Sequence, residues 1–216
     1  MMKALVPFEP CSSMCISGQT GSGKTQWVYK FLQNVTQKYT EDPPSQVLYC
    51  YGIHQELFDH MERTIPNFNS KEGLPSAEEL DDFTSDRRHK LIIIDDLMHE
   101  VMRNKSLELL FTQGCHHRKI SVILITQNLY PGGKHARTIA LNTWYMILMK
   151  NLRDISQVGI LGRQLYPGKS KGFVKAYEDA LTHGYLVVDI SPRAEDQYRL
   201  RTNIFPGEDP IVYKLT

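Results

Sequence analysis

The chain has 216 residues, and its 25 lysines and arginines against 24 aspartates and glutamates leave a formal charge of +1. That length suits one α/β domain burying about 70% of the surface its unfolded chain would expose, so neither disulfides nor a structural metal are required. Near-neutrality excludes a protein that grips nucleic acid through its overall charge, and any such surface must be local.

Apolar runs of four to six residues alternate with helical stretches, the pattern of a parallel sheet covered on both faces. The first strand is expected at 14–17. Directly after it stands Gly18-Gln19-Thr20-Gly21-Ser22-Gly23-Lys24-Thr25, a complete Walker A loop, followed by a helix expected over 26–38. Its glycines let successive backbone N–H groups and a helix N-terminus face a triphosphate. Lys24 would neutralise the β- and γ-phosphates, and Thr25 would offer a hydroxyl to Mg²⁺. All eight residues are candidates for binding ATP or GTP.

A strand at 46–51 and a helix at 54–63 come next. The stretch 66–86, with Gly73, Pro75 and several acids, reads as a surface excursion carrying a short helix over 76–83. Leu91-Ile92-Ile93-Ile94-Asp95-Asp96 then gives a buried strand, 91–95, ending in two carboxylates, which is the form of a Walker B segment. Asp95 would reach Mg²⁺ through its water shell, and Asp96 would polarise the attacking water. A helix is expected over 105–117 and a strand over 121–126. Ligands of open α/β sheets collect at the carboxyl ends of strands, so Gln127 at that tip can bond the γ-phosphate or hold the water in line. Strands at 144–149 and 185–189, an edge strand at 198–204, and helices at 154–161 and 170–182 complete the pattern.

From Leu109 through Arg153 there is no aspartate or glutamate, while Arg118, Lys119, Lys134, Arg137, Lys150 and Arg153 are basic. Such a stretch suits phosphates of DNA, of a neighbouring subunit's nucleotide, or both. The turn Tyr130-Pro131-Gly132-Gly133-Lys134-His135 is the candidate DNA-touching loop. Arg118 and Arg153 are the candidates for an arginine finger delivered in trans. Cys11, Cys15, Cys50 and Cys115 lack zinc-ribbon or CxxC spacing and read as reduced thiols. Cys115-His116-His117 has nothing nearby to complete a tetrahedral metal set. No apolar run approaches the ~20 residues that span a bilayer, and Met1 to Pro7 is too short for a signal peptide, so a soluble intracellular protein is expected.

The order of Gly18 to Thr25, Ile92 to Asp96, then Gly114-Cys115-His116-His117-Arg118 leading into Ile120 to Asn128 resembles the FtsK/HerA superfamily. It is most similar to the compact genome-packaging ATPases of large eukaryotic DNA viruses, such as the poxvirus type, and of polinton transposons. Pro7-Phe8 and Asn151-Leu152-Arg153-Asp154 also resemble family positions, with Leu152 where proline is usual and Asp96 where glutamate is. The resemblance implies a ring of subunits that moves double-stranded DNA into a capsid at the expense of ATP, with capsid or portal proteins as partners. It also implies a location in the host cytoplasm or nucleus, or in the virion. The fold expected is a single RecA-like P-loop ATPase domain over 1–216, a mainly parallel sheet with helices on both faces.

Other classes compete. Asn151-Leu152-Arg153-Asp154 imitates a guanine-reading motif but lacks its lysine, and no glycine stands two residues beyond Asp96. A nucleotide kinase could use Arg163 to Lys171 as a basic lid, yet it needs neither a second Walker B carboxylate nor a polar strand tip for water. Intact Lys24, Thr25, Asp95 and Asp96 argue against a dead scaffold. A DNA helicase or non-packaging translocase shares the chemistry.

Overall fold

The computed structural model describes residues 7–39, 41–101, 111, 118–130, 136–153 and 155–215. Within them the strands are β1 (Ser13–Ser17), β2 (Gln46–Tyr51), β3 (Phe68–Glu72), β4 (Lys90–Asp95), β5 (Ile120–Thr126), β6 (Tyr145–Met149), β7 (Tyr185–Asp189), β8 (Leu200–Thr202) and β9 (Ile211–Val212). They form one sheet in the order β3-β2-β4-β5-β1-β6-β7-β8-β9. The six strands from β3 to β6 are parallel, and β7, β8 and β9 extend the sheet antiparallel. β1, β4, β5 and β6 are buried along their whole length, as expected of parallel strands covered on both sides.

Side chains alternate across the sheet, so each face carries its own core. On one face Ile16, Tyr49, Ile93, Ile123 and Ile147 pack with Trp27, Val28 and Phe31 of α1 (Lys24–Gln33) and Phe58 and Met61 of α3 (Glu56–Thr64). On the other, Ile92, Ile94, Val122 and Leu124 meet Leu80 of α4 (Ala77–Phe83) and Ile139 of α6 (Ala136–Asn142). Further along that face, Met146, Leu148, Leu186 and Val188 meet Val158 and Leu161 of α7 (Ile155–Leu165) and Phe173 and Tyr177 of α8 (Ser170–Ala180). Two short helices, α2 (Val35–Lys38) and α5 (Met98–Val101), complete the described set.

Several expectations are corrected. The stretch 66–86 is not only an excursion: Phe68–Glu72 is strand β3, paired in parallel with β2, and only then does α4 follow. Ser76 caps α4 in a reciprocal box with Glu79, which satisfies two otherwise orphaned N–H groups. The helix expected over 26–38 starts earlier, at Lys24, and divides at Asn34 into α1 and α2. Cys15 lies inside β1, buried. Helix α6 lies between the candidate loop at 130–135 and the strand expected at 144–149, where no element was expected. The helix expected over 105–117 falls outside the described residues, apart from Phe111.

The antiparallel extension holds a buried ion pair. Arg201 on β8 is fully buried and donates to Asp189 Oδ2 at 3.0 Å and to the Tyr198 carbonyl at 2.8 Å. Asp189 Oδ1 accepts from the Ser191 hydroxyl at 2.7 Å and the Ser191 N–H at 3.1 Å. The guanidinium also lies 5.9 Å from the centroid of the Phe8 ring, tying the stretch before β1 to the far side of the sheet.

Candidate active site

The loop between β1 and α1 is anchored on both flanks. Gly18 N–H donates to the Thr126 carbonyl at 3.2 Å and Gln19 N–H to the Lys150 carbonyl at 3.0 Å, so β5 and β6 each hold one strand-end residue of the loop. A Cβ on Gly18 would meet Ser22 Oγ at 2.6 Å and Met149 Cβ at 2.8 Å, too close for any side chain. Gly23, immediately before α1, has φ 91°, a left-handed conformation that admits glycine without strain. Lys24 and Thr25 therefore occupy the first helical turn, whose N–H groups have no partner within the helix.

Lys24 Nζ bridges the loop, donating to the Gly18 carbonyl at 2.6 Å and the Gln19 carbonyl at 3.0 Å. Burial pulls its pKa below the ordinary lysine value, while Asp95 and Asp96 work in the opposite sense. Asp95 ends β4, buried, and its Oδ2 accepts from the Tyr49 hydroxyl at 2.7 Å. Burial raises the Asp95 pKa and Asp96 adds to this, whereas the Tyr49 hydrogen bond and Lys24 oppose it. Tyr49 has no exposure, and its hydroxyl also meets Thr25. Burial, then the Asp95 charge, holds that phenol well above its ordinary pKa.

Asp96 turns out of the strand into solvent with φ 57°, a left-handed position. Gln127 Nε2 reaches Asp96 Oδ1 at 3.4 Å. The sheet order explains this meeting. β5 lies between β1 and β4, so its tip stands between the Walker A loop and the paired carboxylates.

Thr20, Lys24, Thr25, Asp95, Asp96 and Gln127 thus line one open cavity of about 590 Å³, with Gly21 and Gly23 on its floor. Gly18 and Ser22 belong to the loop but do not face it. Gln19 and Arg153 line a second cavity, about 680 Å³, on the other flank of the loop; Thr20 and Gln127 border both.

The two arginines expected to act in trans sit very differently. Arg153 is exposed beside the phosphate loop of its own chain. Arg118 precedes β5 and Gln127 follows it, so the two stand at opposite ends of a seven-residue strand that spans roughly 20 Å at the usual rise per residue. Arg118 is ion-paired with Asp81 at 2.5 Å. Arg137 is exposed on α6, while Lys134 and the rest of 131–135 fall outside the described residues, as does Asp154. No group of three or more histidines, cysteines or acids suited to a metal occurs among the described residues. No described helix is long and apolar enough to cross a membrane.

Tyr49 is the residue that sequence reasoning missed. Its signal was available: a tyrosine on the buried face of a central strand needs a partner for its hydroxyl. β2 pairs with β4, so Tyr49 lies beside the Walker B strand. Asn151 is a second omission, its Nδ2 donating to the Gln127 carbonyl at 3.0 Å and fixing the strand tip.

No family model and no curated protein matches the chain. Solved structures do. The DNA-packaging ATPase B204 of Sulfolobus turreted icosahedral virus aligns over 97% of this chain and 100% of its own, with TM-score 0.51 and 10% identity. The chain shares its fold with that structure along almost its whole length. B204 of Sulfolobus turreted icosahedral virus 2, in complex with ATP-gammaS, aligns over 94% of this chain and 97% of its own, with TM-score 0.50 and 10% identity. The cytoplasmic domain of EssC aligns over 95% of this chain but 39% of its own length, with TM-score 0.51 and 13% identity. The expected α/β architecture, a mainly parallel sheet with helices on both faces, is the one observed, and the chain shares it with these ATPases at the level of fold.

Proposed function

We propose that this chain is an ATP hydrolase that drives double-stranded DNA into a viral or virus-like capsid, working as a self-assembled ring against capsid or portal proteins. The observation that carries the reading is the meeting of Lys24, Thr25, Asp95, Asp96 and Gln127 in one cavity, on a fold shared end to end with B204. The interposed strand favours hydrolysis over phosphate transfer to a small acceptor, because it sets a polar side chain where a water must be held.

In this mechanism the N–H groups of 21–25 and Lys24 hold the phosphates, and Lys24 exchanges its two loop carbonyls for phosphate oxygens. Gln127 holds a water in line with the γ-phosphorus and Asp96 accepts its proton. The water oxygen bonds to phosphorus as the β–γ bridging oxygen leaves with the electron pair on ADP. The Thr25 hydroxyl and Asp95 suit Mg²⁺, a hard cation that takes oxygen ligands. Bound there, Mg²⁺ supplies charge neutralisation at the phosphates. Arg153 can address the nucleotide of its own chain, whereas Arg118, at the far edge, fits only a neighbouring subunit's site.

Tyr49 acts here as a positioning residue for the metal ligand. Tyr49→Phe should raise the Mg²⁺ concentration needed for half-maximal hydrolysis about 10- to 100-fold, the usual effect of losing an outer-shell partner. Unchanged Mg²⁺ dependence, read from turnover across a magnesium titration, would remove Tyr49 from the site.

The test of the whole reading is ATP turnover with and without long duplex DNA, recorded together with the mass of the assembly. Duplex DNA should stimulate hydrolysis with little sequence preference, and the stimulation should fade steeply with salt as released counterions lose their entropic advantage. Replacing Lys134 and Arg137 together should flatten the salt dependence by about two charges and spare basal hydrolysis. Hydrolysis indifferent to DNA but dependent on a nucleoside monophosphate would establish a kinase instead.

A further inference from the structure

Among the described residues, the second cavity, flanking the phosphate loop, is lined mainly by carboxamides, Gln19, Gln127, Asn128, Asn151 and Gln157, together with Arg153, Thr20 and Leu152. Its hydrogen bonds decide which atoms face inward. Gln19 Oε1 accepts from the Leu152 N–H at 3.2 Å, and Gln157 Oε1 accepts from the Tyr130 N–H at 3.0 Å. A backbone N–H can only donate, so each amide turns its oxygen to the main chain and leaves its NH₂ group for the cavity. Among the described residues neither NH₂ group has an acceptor, and Arg153 has no acidic partner. Among the described residues no acid lines the cavity. Donors without acceptors beside a guanidinium suit an oxyanion.

The position of the cavity selects among oxyanions. Thr20 and Gln127 border both this cavity and the one that holds Lys24, Asp95 and Asp96, so the two adjoin at the side chain expected to hold the attacking water. We propose that this cavity is a binding site for inorganic phosphate, occupied by the γ-phosphate after cleavage and before its release. The site rests on the hydrolase reading above. Phosphate moving from Lys24 towards Arg153 leaves the negative pair Asp95 and Asp96 behind and gains the two amide donors.

Gln157→Glu provides a close test. A glutamate keeps the oxygen that accepts from Tyr130 N–H and replaces the inward NH₂ by a second anionic oxygen. It lies outside the hydrolytic set, so basal turnover at low phosphate should stay within about twofold of the parent. Phosphate affinity of the ADP-loaded full chain, read by phosphorus NMR titration with inorganic phosphate, should fall at least about tenfold, the equivalent of one hydrogen bond to a charged group. Product inhibition by phosphate in steady-state turnover should weaken in the same ratio. Arg153→Gln, which keeps a donor but removes the charge, should also lower phosphate affinity and gives a second reading if the glutamate variant unfolds.

Phosphate that binds the ADP-loaded protein equally in both variants occupies the γ-phosphate position itself and overturns the proposal. Absence of phosphate binding in a protein that hydrolyses ATP overturns it as well. ADP binding and ATP turnover are measured on the same samples, so a parent protein that binds ADP without hydrolysing ATP instead defeats the hydrolase reading.

Discussion

Asp96→Asn is expected to retain ATP while turnover falls by about two to four orders of magnitude, the usual worth of a positioned general base. The substitution keeps an oxygen where Gln127 Nε2 meets it, 3.4 Å away, and leaves Lys24, Thr25 and Asp95 untouched. Only the ability to accept a proton from water is lost. Lys24→Ala should behave in the opposite way, losing most nucleotide affinity, because the ammonium that bridges the loop carbonyls is also the cation for the phosphates. Equilibrium binding of a fluorescent ATP analogue, set beside single-turnover hydrolysis, separates the two. Equal loss of binding in both variants would reassign Asp96 to holding the metal.

Asp189→Ala should cost about 3–5 kcal/mol of folding stability, because it strands the Arg201 charge inside the protein. Arg201 has no exposure and Asp189 is 2% exposed, so water cannot replace the lost carboxylate. Against a typical total of about 5–15 kcal/mol, that is a large fraction. Denaturant unfolding would show it as a lower midpoint at unchanged slope. Replacing the pair by apolar residues of similar volume, Asp189→Leu with Arg201→Met, should recover much of the loss. If Asp189→Ala is neutral, the pair is not what holds β8 to β7.

The sequence made the central strands and the phosphate loop legible because both are local statements. A buried parallel strand is a short apolar run, and a phosphate loop is eight consecutive residues. Strands β2 and β7 were read at their observed limits. β3 escaped because Phe-Asn-Ser-Lys-Glu has one apolar side chain and sits at the sheet edge, where pairing with β2 rather than burial makes it a strand. The helix over 136–142 escaped because it lies in a basic stretch with only Ile139 turned to the core. Tyr49 escaped for a different reason: its role depends on which strand lies beside β2, and pairing partners are not written in any one segment. The separation of Arg118 from the phosphate loop is likewise a property of strand direction, since it stands at the start of β5 and Gln127 at its end.

The left-handed backbone at Asp96 makes residue identity and main-chain shape a single inherited unit. Aspartate and asparagine visit that region far more readily than longer side chains do, because their short polar groups bond locally. Exchanging aspartate for the longer glutamate here would therefore strain the path of the chain out of β4 as well as move the carboxylate, so side chain and turn cannot be varied independently.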